Sequence, residues 1–286
     1  MSFKSYIKRK FFTKILNVSL SHVTPLNELH GRCALITGGT SGIGYSIAQA
    51  FLQAGASVII TGRDNQRIKV AVGNLKSLAF KDCYVDGIVL HNDVPSEFEE
   101  KFAEIVRIAK RNGRPSIDIL VNNAGVNGLR MPNAVEEEYD RILDTNLKGT
   151  FFLSQMVGKY FVTNGIKGNV LNIGSASGLR PADSAYTLSK WGIRGLTMGL
   201  AKSLGKYGIT VNSIAPGPTA TPMMHVNNES NMYLERIPLG RYILPEEIAK
   251  MAVVLVSDLG RSIMGDTIYM TGGAGLLTFD DVEYGF

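Results

Sequence analysis

The sequence predicts an α/β fold: a seven-stranded parallel sheet, doubly wound by helices into three layers. Three observations carry this. Short apolar runs alternate with longer amphipathic segments along most of the chain. The runs are β-branched or apolar nearly throughout, as strands covered on both faces must be. The first run also opens straight into a glycine-rich turn and then a helical pattern, which is how a βαβ unit begins.

In order, the strands are expected at 33–37 (CALIT), 57–61 (SVIIT), 87–90 (GIVL), 117–121 (IDILV), 169–173 (NVLNI), 209–214 (ITVNSI) and 267–270 (TIYM). Helical patterns fall near 43–54, 64–79, 96–111, 136–164, 184–207 and 245–258. Parallel neighbours need crossover connections, and these segments supply them. No Pro/Ser-rich linker or internal repeat divides the chain, so a single domain over 28–286 is expected.

Residues 1–27 stand apart. They hold Lys4, Lys8, Arg9, Lys10 and Lys14 and no acid, which equals the net charge of +5 for the whole chain. The body is formally neutral and shows no basic stripe, which argues against nucleic-acid binding. In the extension, Phe3, Ile7, Phe11 and Ile15 recur at helical spacing beside these cations. Three readings stay open: a membrane-surface contact, a mitochondrial presequence, or a helix packed on its own body or a sister subunit. No apolar run reaches the ~18–20 residues of a membrane span. Two cysteines, Cys33 and Cys83, make no disulfide framework and suit a reducing compartment. His22, His30, His91 and His225 show no ligand spacing, so they read as surface or packing residues, and no metal is expected.

In doubly wound sheets, ligands bind beyond the carboxyl ends of the strands. After the first strand come Gly38, Gly39, Thr40, Ser41, Gly42, Ile43 and Gly44. Glycine permits a tight turn and close approach of backbone to a pyrophosphate, and a helix N-terminus offers free N–H groups to phosphates. A dinucleotide site is the expectation. The residue ending the second strand reads the adenosine ribose: an acid suits the 2′-OH of NAD, an arginine the 2′-phosphate of NADP. Here the acid position is Gly62 and Arg63 follows, which favours NADP(H); the adjacent Asp64 and the uncharged Ser41 keep NAD(H) open.

Later strand ends carry Asn92-Asp93-Val94, Asn122-Asn123-Ala124-Gly125, Thr145-Asn146-Leu147-Lys148-Gly149, Ser175, and Pro216-Gly217 with Thr219 and Thr221. Tyr186 and Lys190 lie four apart, one turn on the same face of a helix. Tyr6 and Lys10 repeat that spacing, so spacing alone decides nothing. An ammonium beside a phenol should lower the phenol's pKa towards the range useful for proton transfer.

The G-x-x-x-G-x-G turn and these motifs, in this order over about residues 28–275, resemble the short-chain dehydrogenase/reductase family in its single-domain branch. The resemblance implies a Rossmann-type fold and an enzyme interconverting a ketone and a secondary alcohol. Tyr186 would be the general acid/base, Ser175 would bind the substrate oxygen, Lys190 would assist Tyr186 and bond the nicotinamide ribose, and Asn146 would hold a water. Dinucleotide contacts are implied for Gly38, Thr40, Ser41, Gly42, Ile43, Gly44, Arg63, Asp93, Val94, Asn123, Ala124, Gly125, Tyr186, Lys190, Pro216, Gly217, Thr219 and Thr221. The segment 237–273 is similar to 3-oxoacyl-acyl-carrier-protein reductases, and the pattern recurs in sugar, polyol and steroid dehydrogenases. A cytoplasmic homotetramer, or a dimer, with interfaces on 96–111 and 136–164, goes with the resemblance. Two rival classes stay open: a non-catalytic dinucleotide sensor of the same fold, and a membrane-associated reductase of lipid or polysaccharide building blocks recruited by residues 1–27. Ser175 and Tyr186 are 11 residues apart, about two fewer than the family spacing, which implies a trimmed loop at 178–183. The 222–236 stretch should form a lid, its Met223, Met224, Met232 and Tyr233 either lining a pocket or packing a short helix.

Overall fold

The computed structural model describes residues 28–79, 82–224, 226, 231–280 and 282. The extension 1–27, with the readings placed on it, lies outside the described residues, as do His225 and positions 227–230 of the expected lid.

The elements follow the expected alternation. They are β1 Cys33–Ile36, α1 Gly42–Gln53, β2 Ser57–Gly62, α2 Asn65–Lys76, β3 Val85–Val89, α3 Phe98–Arg111, β4 Ile119–Asn122, α4 Glu136–Leu143, α5 Gly149–Thr163, β5 Asn169–Ile173, α6 Ala185–Leu204, β6 Thr210–Pro216, α7 Pro245–Val256 and β7 Thr267–Met270. All pairings are parallel, in the order β3-β2-β1-β4-β5-β6-β7. Strand β1 lies between β2 and β4, so the winding reverses there and opens a crevice at its carboxyl end.

Alternation along each strand splits the core into two layers. Ala34, Ile36, Val58 and Ile60 face Ile47 and Phe51 of α1 and Ile248 and Val253 of α7. Leu35 and Ile59 face the other way, onto Phe102 and Ile105 of α3 and Leu153, Val157 and Phe161 of α5. Each of the Val, Ile, Leu and Phe side chains contributes about 1.5–3 kcal/mol when fully buried.

One expected helix is interrupted. The segment 136–164 contains α4, a π-helical turn Asp144–Lys148, and α5. The turn's Asn146 is held from two sides: its Nδ2 donates to Val126 O at 3.0 Å and Ser189 Oγ at 3.1 Å, and its Oδ1 accepts from Val126 N at 2.8 Å. A π-turn inserts one residue into a helix, and such turns gather at functional sites. Other bounds shift slightly: β3 begins at Val85, and α2 stops at Lys76.

At the amino ends of the strands a polar cluster ties the sheet together. Arg32 Nη2 donates to Asn169 Oδ1 at 2.6 Å, and its Nε lies 3.1 Å from Asp118 Oδ1. The same carboxylate accepts from Cys33 N at 3.1 Å, and Asn169 Nδ2 reaches Thr210 Oγ1 at 2.5 Å. Burial pushes the Asp118 carboxyl upward, and the Arg32 guanidinium opposes it. Among the described residues, no helix is long and apolar enough to cross a membrane.

Candidate active site

The chemistry gathers at the opposite end of the sheet. Gly38 and Gly42 take φ of +63° and +57°, which L side chains rarely adopt. A Cβ at Gly38 would also stand 3.0 Å from Ala124 Cα. The turn after β1 is stitched to the turn after β4: Asn123 Nδ2 donates to the carbonyls of Thr37 and Gly38, each at 3.0 Å. Thr37 Oγ1 accepts from the amides of Asn123 and Ala124, also at 3.0 Å.

A cleft of about 840 Å³ runs across this switch point. Gly38, Thr40, Ser41, Gly42 and Ile43 line it beside the α1 N-terminus. Arg63 lines it after β2, Asp93 after β3, and Asn123, Ala124 and Gly125 after β4. Ser175, Tyr186 and Lys190 line it as well, as do Pro216, Gly217, Thr219 and Thr221, with Thr221 lying beside Gly42. Three expected residues do not line it. Gly44 packs beneath the turn, where a Cβ would collide with the Asn123 side chain. Val94 sits one residue past the wall, capping the 3₁₀ turn Pro95–Glu97. Asn146 is buried behind the cleft, with its side chain committed to Val126 and Ser189.

The cleft also has walls that the sequence reading missed, chiefly Arg67, Thr145, Asn92 and His91. Spacing could have flagged Arg67, one helical turn beyond Arg63. His91, expected as surface or packing, both lines the cleft and places Nδ1 3.1 Å from Glu97 Oε2. Of the lid methionines, Met223 and Met224 line the cleft, whereas Met232 is buried with Ala220 and Leu244.

Asp64 has a second task. Its Oδ1 accepts from Arg67 N at 2.9 Å and caps α2. Arg63 and Arg67 are exposed and form no ion pair among the described residues; Asp64 and Asp93 line the same end.

Helix α6 sets the other end. Ser184 Oγ caps it, accepting from Thr187 N at 3.2 Å, and Tyr186 follows in the first turn. The Tyr186 phenol is hydrogen-bonded to Ser175, which stands just after β5. Lys190 Nζ donates to Ile173 O at 2.9 Å and lies 5.5 Å from the centre of the Tyr186 ring. Burial raises the Tyr186 pKa, and the Ser175 bond only partly opposes it. Burial brings Lys190 down to about 8. This corrects the sequence expectation. The ammonium sits over the ring and on a backbone carbonyl, desolvation dominates, and Tyr186 is held as a neutral phenol. A neutral phenol is a proton donor.

The residues fit a dinucleotide. A turn with glycine at 38, 39, 42 and 44 and a helix N-terminus suit a pyrophosphate, Arg63 and Arg67 suit a phosphorylated ribose, and Tyr186 with Ser175 supplies a proton donor on the same cleft. Comparisons with known proteins agree. The family model described as enoyl-(acyl carrier protein) reductase matches residues 38–275. A 3-oxoacyl-acyl-carrier-protein reductase of Thermotoga maritima is 36% identical over 251 residues, covering 86% of this chain and 98% of that one. A short-chain dehydrogenase from Burkholderia cenocepacia J2315, solved in complex with NADP, superimposes with a TM-score of 0.74 at 28% identity, over 86% and 98% of the two chains. A 3-oxoacyl-acyl-carrier-protein reductase from Brucella melitensis with bound NAD gives a TM-score of 0.78 at 27% identity, over 91% and 99%. With the parallel sheet, the glycine turn and the Ser175–Tyr186–Lys190 cluster all in place, the chain belongs to the short-chain dehydrogenase/reductase family of NAD(P)-dependent oxidoreductases.

Proposed function

We propose that the chain is an NADP(H)-dependent carbonyl reductase that interconverts a ketone and a secondary alcohol, with a 3-oxoacyl thioester as its substrate class. The convergence of Tyr186, Ser175 and Lys190 at one end of the cleft carries this reading. The bound dinucleotide supplies or accepts the hydride. Ser175 orients the substrate oxygen by a hydrogen bond. Tyr186, neutral at ordinary pH, gives that oxygen its proton as negative charge develops there, and takes it back in the oxidative direction. Lys190 would return a proton to the phenolate left on Tyr186 and would hold the nicotinamide ribose of a bound dinucleotide. Asn146 acts from behind, through Ser189 and Val126.

Arg63 supports NADP(H) over NAD(H), with Arg67 beside it, because Asp64 is engaged in capping α2. Met223 and Met224 give the cleft adaptable apolar walls. The thioester class rests on the Thermotoga and Brucella relatives. A homotetramer in the cytoplasm belongs to the same proposal. Exposed Phe151 and Phe152 on α5 and Leu188, Trp191 and Met198 on α6 offer the apolar surface for self-association, and α3 presents no exposed large apolar side chain. Cys33 and Cys83 form no disulfide among the described residues, which suits a reducing compartment.

The test follows the loss of nicotinamide absorbance with NADPH and with NADH, on a 3-oxoacyl thioester, a diketone and a keto sugar. Wild type should turn over with NADPH on the thioester. Tyr186→Phe should lose roughly 10²–10⁴-fold in kcat while still binding dinucleotide. Tight NADPH binding with no turnover on any carbonyl would favour the sensor class. A preference for NADH would overturn the assignment of Arg63.

A further inference from the structure

The loops that follow β4 and β5 meet outside the cleft. Arg130 and Asp183 join them as a fork: Arg130 Nε lies 3.0 and 2.9 Å from Asp183 Oδ1 and Oδ2, and Nη2 lies 2.7 Å from Oδ1. The backbone repeats the tie, with Met131 N donating to Asp183 O at 2.9 Å. The arginine side chain is 36% exposed and the aspartate 16%. So exposed a pair contributes little to stability, whereas a two-bond fork fixes geometry well.

What the fork fixes is next to the chemistry. Asp183 precedes Ser184, the residue that caps α6, and Tyr186 lies two residues further on. On the other loop, Arg130 is four residues past Val126, a wall of the cleft. A second tie runs in parallel: Val126 is held by Asn146, Asn146 bonds Ser189, and Ser189 Oγ donates to Tyr186 O at 2.7 Å. The first turn of α6 is therefore gripped by the β4 loop at two points, one buried and one at the rim. We propose that Arg130 and Asp183 are a positioning pair, which sets the Tyr186 hydroxyl against the substrate oxygen without touching the dinucleotide. This rests on Tyr186 being the proton donor.

Displacements near 1 Å at a reacting centre cost up to about 10²-fold in rate, so a loosened first turn should be visible in kcat. Arg130→Gln and Asp183→Asn should each lower kcat on the thioester about tenfold, with the Kd for NADPH within twofold of wild type. The double variant should be no worse than either single one, because both remove the same constraint. Asp183→Glu keeps the charge but moves the fork, so it should fall between wild type and Asp183→Asn, and it serves if the asparagine variant does not fold. Single variants indistinguishable from wild type would overturn the pair. So would losses that add in the double variant, or NADPH affinity and melting temperature falling in step with kcat, which would mark a general loosening. A wild type inert on every carbonyl overturns both this inference and the proposed function, since no proton transfer is left to position; an active wild type with unaffected single variants overturns the pair alone.

Discussion

Lys190 is the most costly residue of the site. It is buried, and burial lowers its pKa from 10.5 to about 8. Between these values the unfolded chain binds a proton that the folded chain does not, so stability rises with pH from about 8 to 10.5; below about 8 the full burial penalty applies. Its hydrogen bond to Ile173 O offsets part of this. Lys190→Met should therefore stabilise the protein at pH 7 by about 1–3 kcal/mol while abolishing turnover. Thermal unfolding across pH 7 to 10.5 checks this, and the variant's advantage should shrink towards zero at the upper end. A variant less stable at pH 7 would mean that the bond to Ile173 outweighs desolvation. Sequence reasoning singled out Lys190 and Tyr186 by their spacing together with the motifs around them, but expected the ammonium to outweigh burial at the phenol. Spacing says that two groups are close; it does not say how much water surrounds them. Arg67 was missed for a related reason, since one exposed cation on a first helical turn breaks no pattern.

Among the elements, the interrupted helix around Asn146 is the most informative. Gly149 opens α5 where a Cβ would overlap the Asn92 carbonyl oxygen, and Asn92 Nδ2 donates to Thr145 O at 2.6 Å within the π-turn. The turn, the end of β3 and the start of α5 are thus locked by close approach. Gly149→Ala should cost about 1–3 kcal/mol by overpacking. It should also lower kcat and raise the Kd for NADPH, because moving the π-turn moves Thr145 and Asn92, two walls of the cleft. Denaturant unfolding and steady-state kinetics check both; an alanine variant as stable as wild type would show that the backbone can move aside. Strands and helices were legible because apolar periodicity is local. The π-turn was not, because the groups that hold Asn146, Val126 and Ser189, lie 20 and 43 residues away along the chain. The capping of α2 by Asp64 was hidden too: the same acid reads equally well as a ribose ligand until the helix start is fixed.

At the scale of the whole molecule, the proposed self-association makes a direct prediction. Phe151 and Phe152 pack edge to face at 5.3 Å yet remain about half exposed on α5. Trp191 and Met198 are similarly exposed on α6. Sedimentation should give a multimeric mass, and Phe152→Asp with Trp191→Asp should reduce it to the 31.1 kDa of a single chain. A wild-type monomer at micromolar concentration would remove the oligomer from the proposal. The seven-stranded parallel sheet was legible in the alternation of strands and helices, but its strand order was not, and neither was which helix faces stay bare, because both depend on contacts between segments far apart along the chain.

The cluster of Arg32, Asp118 and Asn169 knots the amino ends of the strands, and every residue assigned to binding or chemistry stands at the carboxyl ends. What holds the fold and what selects the substrate thus sit at opposite poles of one sheet. The loops near 126–135, 176–184 and 231–240 can diverge without disturbing that knot, so the scaffold is built for evolvability: new specificities can arise by rewriting one rim while the other keeps the protein folded.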